Sequence, residues 1–210
     1  MVITYCGMAF VKVQFGDTVV AFNPFGKLPG LKETRFGADV ALVSMRDKAF
    51  SETDNLVYGE RQPFIVSGPG EYEVKGIYVK GVATPGKDDK INTAYSLTLD
   101  GINICHLGGI NKTTITADAQ EQLGEIDILF VPVGDGMLTP EDAEKIATTL
   151  EPKMIVPLYA MGEGKKDDET LAKFMKELGA EKVAPVDKLT LKKKDLEGKE
   201  GDVVILSPSE

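Results

Sequence analysis

Residues 10–15 (Phe10, Val11, Lys12, Val13, Gln14, Phe15) alternate apolar with polar side chains, the period-two pattern of a half-buried strand. Gly16-Asp17 supplies a turn, and 18–22 returns as the second arm of a hairpin. A short β-rich run over 2–6 precedes them. Two prolines and two glycines make 24–30 a loop. Residues 39–44 are an apolar run, Val40 to Val43, closed by Ser44, as expected of a buried strand that delivers a loop at its C-terminal end. Three further short strands are predicted over 64–67, 71–75 and 77–82, punctuated by Gly68-Pro69-Gly70 and Gly76. Asp100-Gly101 marks a tight hairpin joining 93–99 to 102–107.

Helical signals gather in the second half. A helix is predicted over 116–123, then a strand over 128–133. Thr139-Pro140-Glu141-Asp142 is a helix start, with a capping hydroxyl, proline in the first turn and acids beside the positive end of the dipole. That helix runs to about Leu150, with Ala143, Ile146, Ala147 and Leu150 on one face. A strand over 154–158, a helix over 168–178 capped by Gly179, and strands over 188–191 and 203–206 complete the pattern. The last two are joined by the charged linker 192–202. Each half opens with strands and closes with helices. This implies an α/β protein built as a four-layer αββα sandwich, one domain over residues 1–210.

Composition narrows the function classes. A hydrophobic fraction of 42% is too high for a disordered chain. A net charge of −9 argues against nucleic acid, which needs cations to neutralise phosphates, and against an anionic membrane surface. No stretch has the roughly 20 apolar residues of a membrane-spanning helix, and the N-terminus lacks the charged and apolar regions of a signal peptide. The only cysteines, Cys6 and Cys105, lie in apolar strands and are expected as buried thiols in a reducing cytoplasm.

Several segments together resemble the metallo-β-lactamase-fold hydrolases, in the branch of ascorbate-6-phosphate lactonase-like proteins. ITYCGMAFVKVQFGDTVVAFNPF is similar to the opening hairpin of that branch, with Asn23-Pro24-Phe25 in place of Asp-Pro-Phe. ADVALVS resembles the strand that carries the first zinc motif. GPGEYEVKGIYVKGV, ICHLGG, IDILFVPVGDGMLTPEDAEKIA and PKMIVPLY follow in the family's order across nearly the whole chain. The resemblance implies the sandwich fold and a hydrolase ancestry. In such enzymes histidines and carboxylates hold two Zn²⁺ ions, which lower the pKa of a bridging water towards neutrality.

The same resemblance implies that this metal centre is lost. The family's Ser/Thr-His-x-His-x-Asp-His loop falls on Ser44-Met45-Arg46-Asp47-Lys48-Ala49-Phe50, which puts Met45, Asp47, Ala49 and Phe50 at ligand positions. The next histidine falls on Gly86, the bridging aspartate on Gly109 and the last histidine on Tyr159. Counting agrees without any resemblance: the chain has one histidine, His106, and a dinuclear imidazole site needs several. No cofactor is expected, where the family would use zinc.

Other residue groups have ordinary readings. His106 is a weak candidate for acid–base catalysis, and a buried, hydrogen-bonded strand-end histidine is the commoner case. Glu71 and Glu73 face one side of a strand, as a paired-carboxylate site or as an exposed sheet face. The Gly68-Pro69-Gly70 and Gly134-Asp135-Gly136 turns do not fit a P-loop. Lys192 to Lys194 reads as a solvated turn. The expectation is a cytoplasmic, non-catalytic protein that binds another protein or a small molecule and self-associates. The alternative is a lactone or phosphodiester hydrolase with an altered site, using a metal held by Asp47, Asp135 or nearby oxygens, or metal-free acid–base work by His106.

Overall fold

A computed structural model describes residues 1–134, 136–159 and 167–209. The first sheet contains β1 (Val2–Gly7), β2 (Phe10–Phe15), β3 (Thr18–Phe22), β4 (Val40–Val43), β5 (Phe64–Ser67) and β12 (Leu189–Thr190). Its order is β12-β1-β2-β3-β4-β5, antiparallel through β3 and parallel from β3 to β5. The second contains β6 (Gly70–Val74), β7 (Ile77–Pro85), β8 (Ile91–Leu99), β9 (Ile102–His106), β10 (Ile128–Val133), β11 (Met154–Tyr159) and β13 (Asp202–Val203). It runs β13-β11-β10-β9-β8-β7-β6, antiparallel from β6 to β9 and parallel from β9 to β13.

The turns act as their residues dictate. Asp100 and Gly101 both adopt positive φ, 55° and 68°, so β8 and β9 close through the two-residue turn whose twist suits a hairpin. Gly68-Pro69 carries the chain from β5 in one sheet to β6 in the other. Between the sheets lies one continuous apolar core in which Val13, Val20, Phe22 and Leu42 meet Val79, Leu97, Ile104 and Phe130.

Among the described residues, α-helices cover the second sheet: α1 (Ala117–Leu123) on β7, α2 (Pro140–Leu150) on β10, and α3 (Asp167–Glu177) on β10 and β11. Thr139 caps α2 by accepting the Asp142 N–H at 3.1 Å, and Ala143, Ile146, Ala147 and Leu150 form its buried face, as the pattern predicts. The αββα plan holds, with one outer layer reduced. The outer face of the first sheet is covered by chain from the β3–β4 and β4–β5 connections, irregular apart from one 3-10 turn at Asp54–Leu56, where the two-halves pattern implies α-helices. Phe25, Leu56 and Ala38 from that chain bury Phe10, Val19, Ala21 and Ala41 in a second apolar cluster, and Phe36 stacks on Phe10 at 5.7 Å. Asn55 holds the covering in place by donating to the Phe25 and Thr34 carbonyls at 2.8 and 3.2 Å. Glycine and proline in 24–30 bar a helix there, but scattered aromatics still cover the sheet. Phe10 is therefore buried on the face where a half-buried strand would meet water. The predicted strand over 203–206 shrinks to Asp202–Val203, with a single bridge from Leu206 to Val186.

Candidate functional site

In α/β folds ligands gather at the carboxyl ends of parallel strands, where loops diverge. Here β4 delivers Ser44 and Met45, β7 delivers Gly86, β9 delivers Leu107 to Gly109, and β11 ends at Tyr159. Six of the seven positions read as former ligands, all but Tyr159, gather at or beside one small cavity of about 110 Å³, lined in part by Met45, Asp47, Ala49 and Phe50.

The middle of this region is filled. Met45 is 3% exposed and Phe50 4%. A Cβ at Gly86 would lie 2.7 Å from the Met45 sulfur, and a Cβ at Gly109 would lie 2.8 Å from the Met45 methyl and 3.0 Å from the Phe50 ring. The space a side chain would need is thus taken at 86 by the end of Met45 together with Asn92 Cβ and the Lys90 carbonyl, each at 2.9 Å, and at 109 by Met45 and the Phe50 ring. Met8 and Met137, 9% and 7% exposed, line the same cavity. Met8 stands where the resembling branch places a polar residue after glycine.

Four charged residues, Asp47, Lys87, Asp88 and Lys90, line the cavity beside the methionines. Asp47 is turned outward, pairs with Lys90 at 2.9 Å and accepts the Ala49 N–H at 3.1 Å, which together hold its carboxyl below the usual range. Tyr159 donates its hydroxyl to the Leu206 carbonyl at 2.9 Å, and its backbone N–H binds the Tyr5 hydroxyl at 2.9 Å. Asp135 lies outside the described residues. Among the described residues no three histidine, cysteine, aspartate or glutamate side chains are grouped to hold a metal. The described residues do not fit a dinuclear zinc centre, because the positions that the resemblance assigns to ligands carry apolar side chains, glycines or groups already bonded elsewhere.

His106 is fully buried. Nδ1 accepts the Gly108 N–H at 2.9 Å and Nε2 faces the Ala9 carbonyl at 2.9 Å, which fixes the neutral tautomer with the proton on Nε2. Phe22 stacks on the imidazole at 5.1 Å and Phe130 lies 5.6 Å away. Burial lowers the pKa to about 3. Both nitrogens are taken and no solvent reaches the ring, so the geometry assigns His106 to joining the two sheets and not to proton transfer.

Asn92, passed over in the sequence, organises the region. Its amide nitrogen donates to Thr84 Oγ1 at 2.7 Å and the Leu107 carbonyl at 2.8 Å, and its oxygen accepts the Gly109 N–H at 2.7 Å. An asparagine opening a strand reads as a turn residue; only the fold brings residues 84, 92, 107 and 109 together. The remaining groups lie elsewhere. Glu71 and Glu73 are on an exposed sheet face, Glu71 near Lys80 at 3.8 Å. The turn at 192–194 is exposed as expected, and Lys193 within it also reaches the buried Asp127 at 3.0 Å. A carboxylate 66 residues away in sequence leaves no local signal. Cys6 and Cys105 are buried free thiols, pushed up by burial to about 11 and about 12.

Comparisons with known proteins agree with this geometry on the fold. The family profile for a β-lactamase superfamily domain matches residues 2–159. A UPF0173 metal-dependent hydrolase of Bacillus velezensis is 26% identical over 196 aligned positions, covering 76% of this chain and 85% of the relative. The UPF0173 metal-dependent hydrolase YtkL of Bacillus subtilis is 25% identical with the same coverage. Among solved structures, one described as a Zn-dependent hydrolase of the metallo-β-lactamase superfamily from Thermotoga maritima is 30% identical. It has a TM-score of 0.75 and covers 98% of this chain and 97% of that one.

Proposed function

The chain belongs to the β-lactamase superfamily, and from that premise we propose that it keeps the scaffold of a metal-dependent hydrolase but works without the dinuclear zinc centre, as a non-hydrolytic binding protein. The observation that carries this reading is Met45. Its sulfur and methyl occupy the space that ligands at 86 and 109 would require. Replacing unmetallated ligands by apolar groups also removes the cost of burying unpaired charge, several kcal/mol for each ion. The substitutions are mutually consistent: where glycine replaces a ligand, a neighbouring methionine or phenylalanine fills the gap.

Its partner is read as a protein or a small molecule, with neither nucleic acid nor membrane engaged. Acidity supports that exclusion, as does the lack, among the described residues, of a helix long and apolar enough to cross a membrane. Cytoplasmic placement and self-association belong to the same proposal.

A second reading is favoured by the names of the relatives, which are metal-dependent hydrolases. In it the chain hydrolyses a lactone or phosphodiester with a metal held by oxygen ligands around Asp47 and Asp135. Elemental analysis of protein purified without chelator separates the two, combined with a screen of lactone, phosphodiester and thioester substrates. The first reading expects no stoichiometric metal and no turnover. One bound metal per chain with metal-dependent turnover establishes the second.

A further inference from the structure

A recess of about 410 Å³ opens beside the plug that Met45 and Phe50 form, at the carboxyl ends of β4 and β5. This is within the size range of small-molecule sites, roughly 300–1,000 Å³. Met45 and Pro69 give it apolar wall, and Ile91, 71% exposed, forms an apolar lip. Ser67 and Thr93 bring hydroxyls to its lining. Ser44 lies on the boundary with the plug, and its buried hydroxyl has no partner among the described residues.

The charged residues of the lining are Arg46 and Lys90. Lys90 is already matched by Asp47 at 2.9 Å, whereas Arg46 is exposed and pairs with no carboxylate among the described residues. The recess therefore presents one uncompensated positive charge on a chain whose net charge is −9. A guanidinium is suited to bidentate bonding of a planar anion. One net charge matches a monoanion; a phosphate dianion would bring an excess negative charge against the acidic surroundings.

We propose that this recess binds a small monoanionic carboxylate with a short apolar tail, its carboxylate on Arg46 and its tail against Met45, Pro69 and Ile91. The proposal rests on the non-hydrolytic reading, in which Met45 stays in the plug and forms the shared wall between plug and recess.

Sodium hexanoate is the probe, titrated into the full-length protein by calorimetry and by amide chemical shifts. Saturable binding is expected, with shifts concentrated around residues 43–46, 67–69 and 90–93. Acetate, which lacks the tail, and hexanol, which lacks the charge, should each bind at least about tenfold more weakly. Arg46→Gln should weaken hexanoate by about tenfold or more and leave the thermal midpoint unchanged. Absence of saturable hexanoate binding, equal binding by Arg46→Gln, or tighter binding of hexyl phosphate than of hexanoate would each overturn the proposal. Metal content of the same sample keeps the two readings apart. Stoichiometric metal removes the non-hydrolytic reading and this proposal with it. Metal-free protein that ignores hexanoate removes this proposal alone.

Discussion

The parallel strands of this molecule treat their two ends differently. At the amino ends of β4 and β10 stand Asp39 and Asp127, both buried carboxylates. Asp127 accepts the Asn103 N–H at 2.8 Å and pairs with Lys153 at 2.7 Å and Lys193 at 3.0 Å. Asp39 accepts the Val19 N–H at 2.9 Å and pairs with Lys75 at 2.6 Å, with Arg61 at 3.7 Å. Burial alone would raise both pKa values, yet the lysines and backbone donors lower them. At the carboxyl ends of the same strands the residues are Met45, Phe50 and Met137, with glycines beneath them. The difference shows what makes a buried carboxylate tolerable. Where the chain itself supplies the cation, the carboxylates stay. At the other end the one carboxylate at a position the resemblance assigns to a ligand, Asp47, is likewise matched by a lysine, Lys90 at 2.9 Å, and sulfur and ring carbon fill the space beside it.

The largest test puts a charge back at the apolar end. Gly109→Asp should destabilise the protein by roughly 3–5 kcal/mol in chemical denaturation, from steric overlap with Met45 and from an unpaired buried charge. Adding Met45→Ala to it should recover part of that loss, with a coupling of about 1–2 kcal/mol in a double-mutant cycle. Additivity would mean that Met45 is not what excludes the side chain at 109. Next, removing charge from the ionic end by Asp127→Ala should cost about 2–3 kcal/mol, since the Asn103 N–H and two ammonium groups lose a charged acceptor. A neutral outcome would reduce that end to an ordinary surface.

Acid should separate the two ends in pH. In the folded chain His106 titrates near 3, against 6.5 for an ordinary histidine. The unfolded chain takes up the proton first, so stability is complete above pH 6.5 and falls as pH drops towards 3, by about 1.4 kcal/mol per unit once well below 6.5. The folded pKa values of Asp39 and Asp127 lie below 3.8, so their contribution is complete above that value and is lost as pH falls through the lowered range. Denaturation at pH 7, 5.5 and 4.5 should show the histidine slope, and His106→Phe should abolish it between pH 6 and 4.5. The smallest effect is expected from Asp47→Ala. Its pair with Lys90 is about two-fifths exposed on each side, and the thermal midpoint should stay within measurement error of the parent.

Much of the fold could be read from local chemistry. Gly16-Asp17, Asp100-Gly101 and the Thr139 cap each act through neighbours a few residues away, and each is found as predicted. The covering of the first sheet was not legible, because Phe25, Phe36 and Leu56 are spaced without a period. At the site, the resemblance named the positions, but not their relation. That Met45 fills the room of both 86 and 109 is a contact across 41 and 64 residues. Met8, Asn92 and Met137 join it from separate strands and loops, and Lys193 reaches Asp127 from a segment that reads as solvent-facing.

On the non-hydrolytic reading proposed above, Met45 also makes a change to metal binding hard to reach. Because one side chain has settled into the room of two, neither of those two can return by itself: each would enter an occupied space. A route to metal binding would have to move Met45 and, at 86, Asn92 and the Lys90 carbonyl as well, then tolerate unmetallated ligands one at a time, through forms less stable than either endpoint. Selection acting on single changes would find that route closed. On that reading the scaffold is free to drift towards new partners, and packing alone holds it away from metal chemistry.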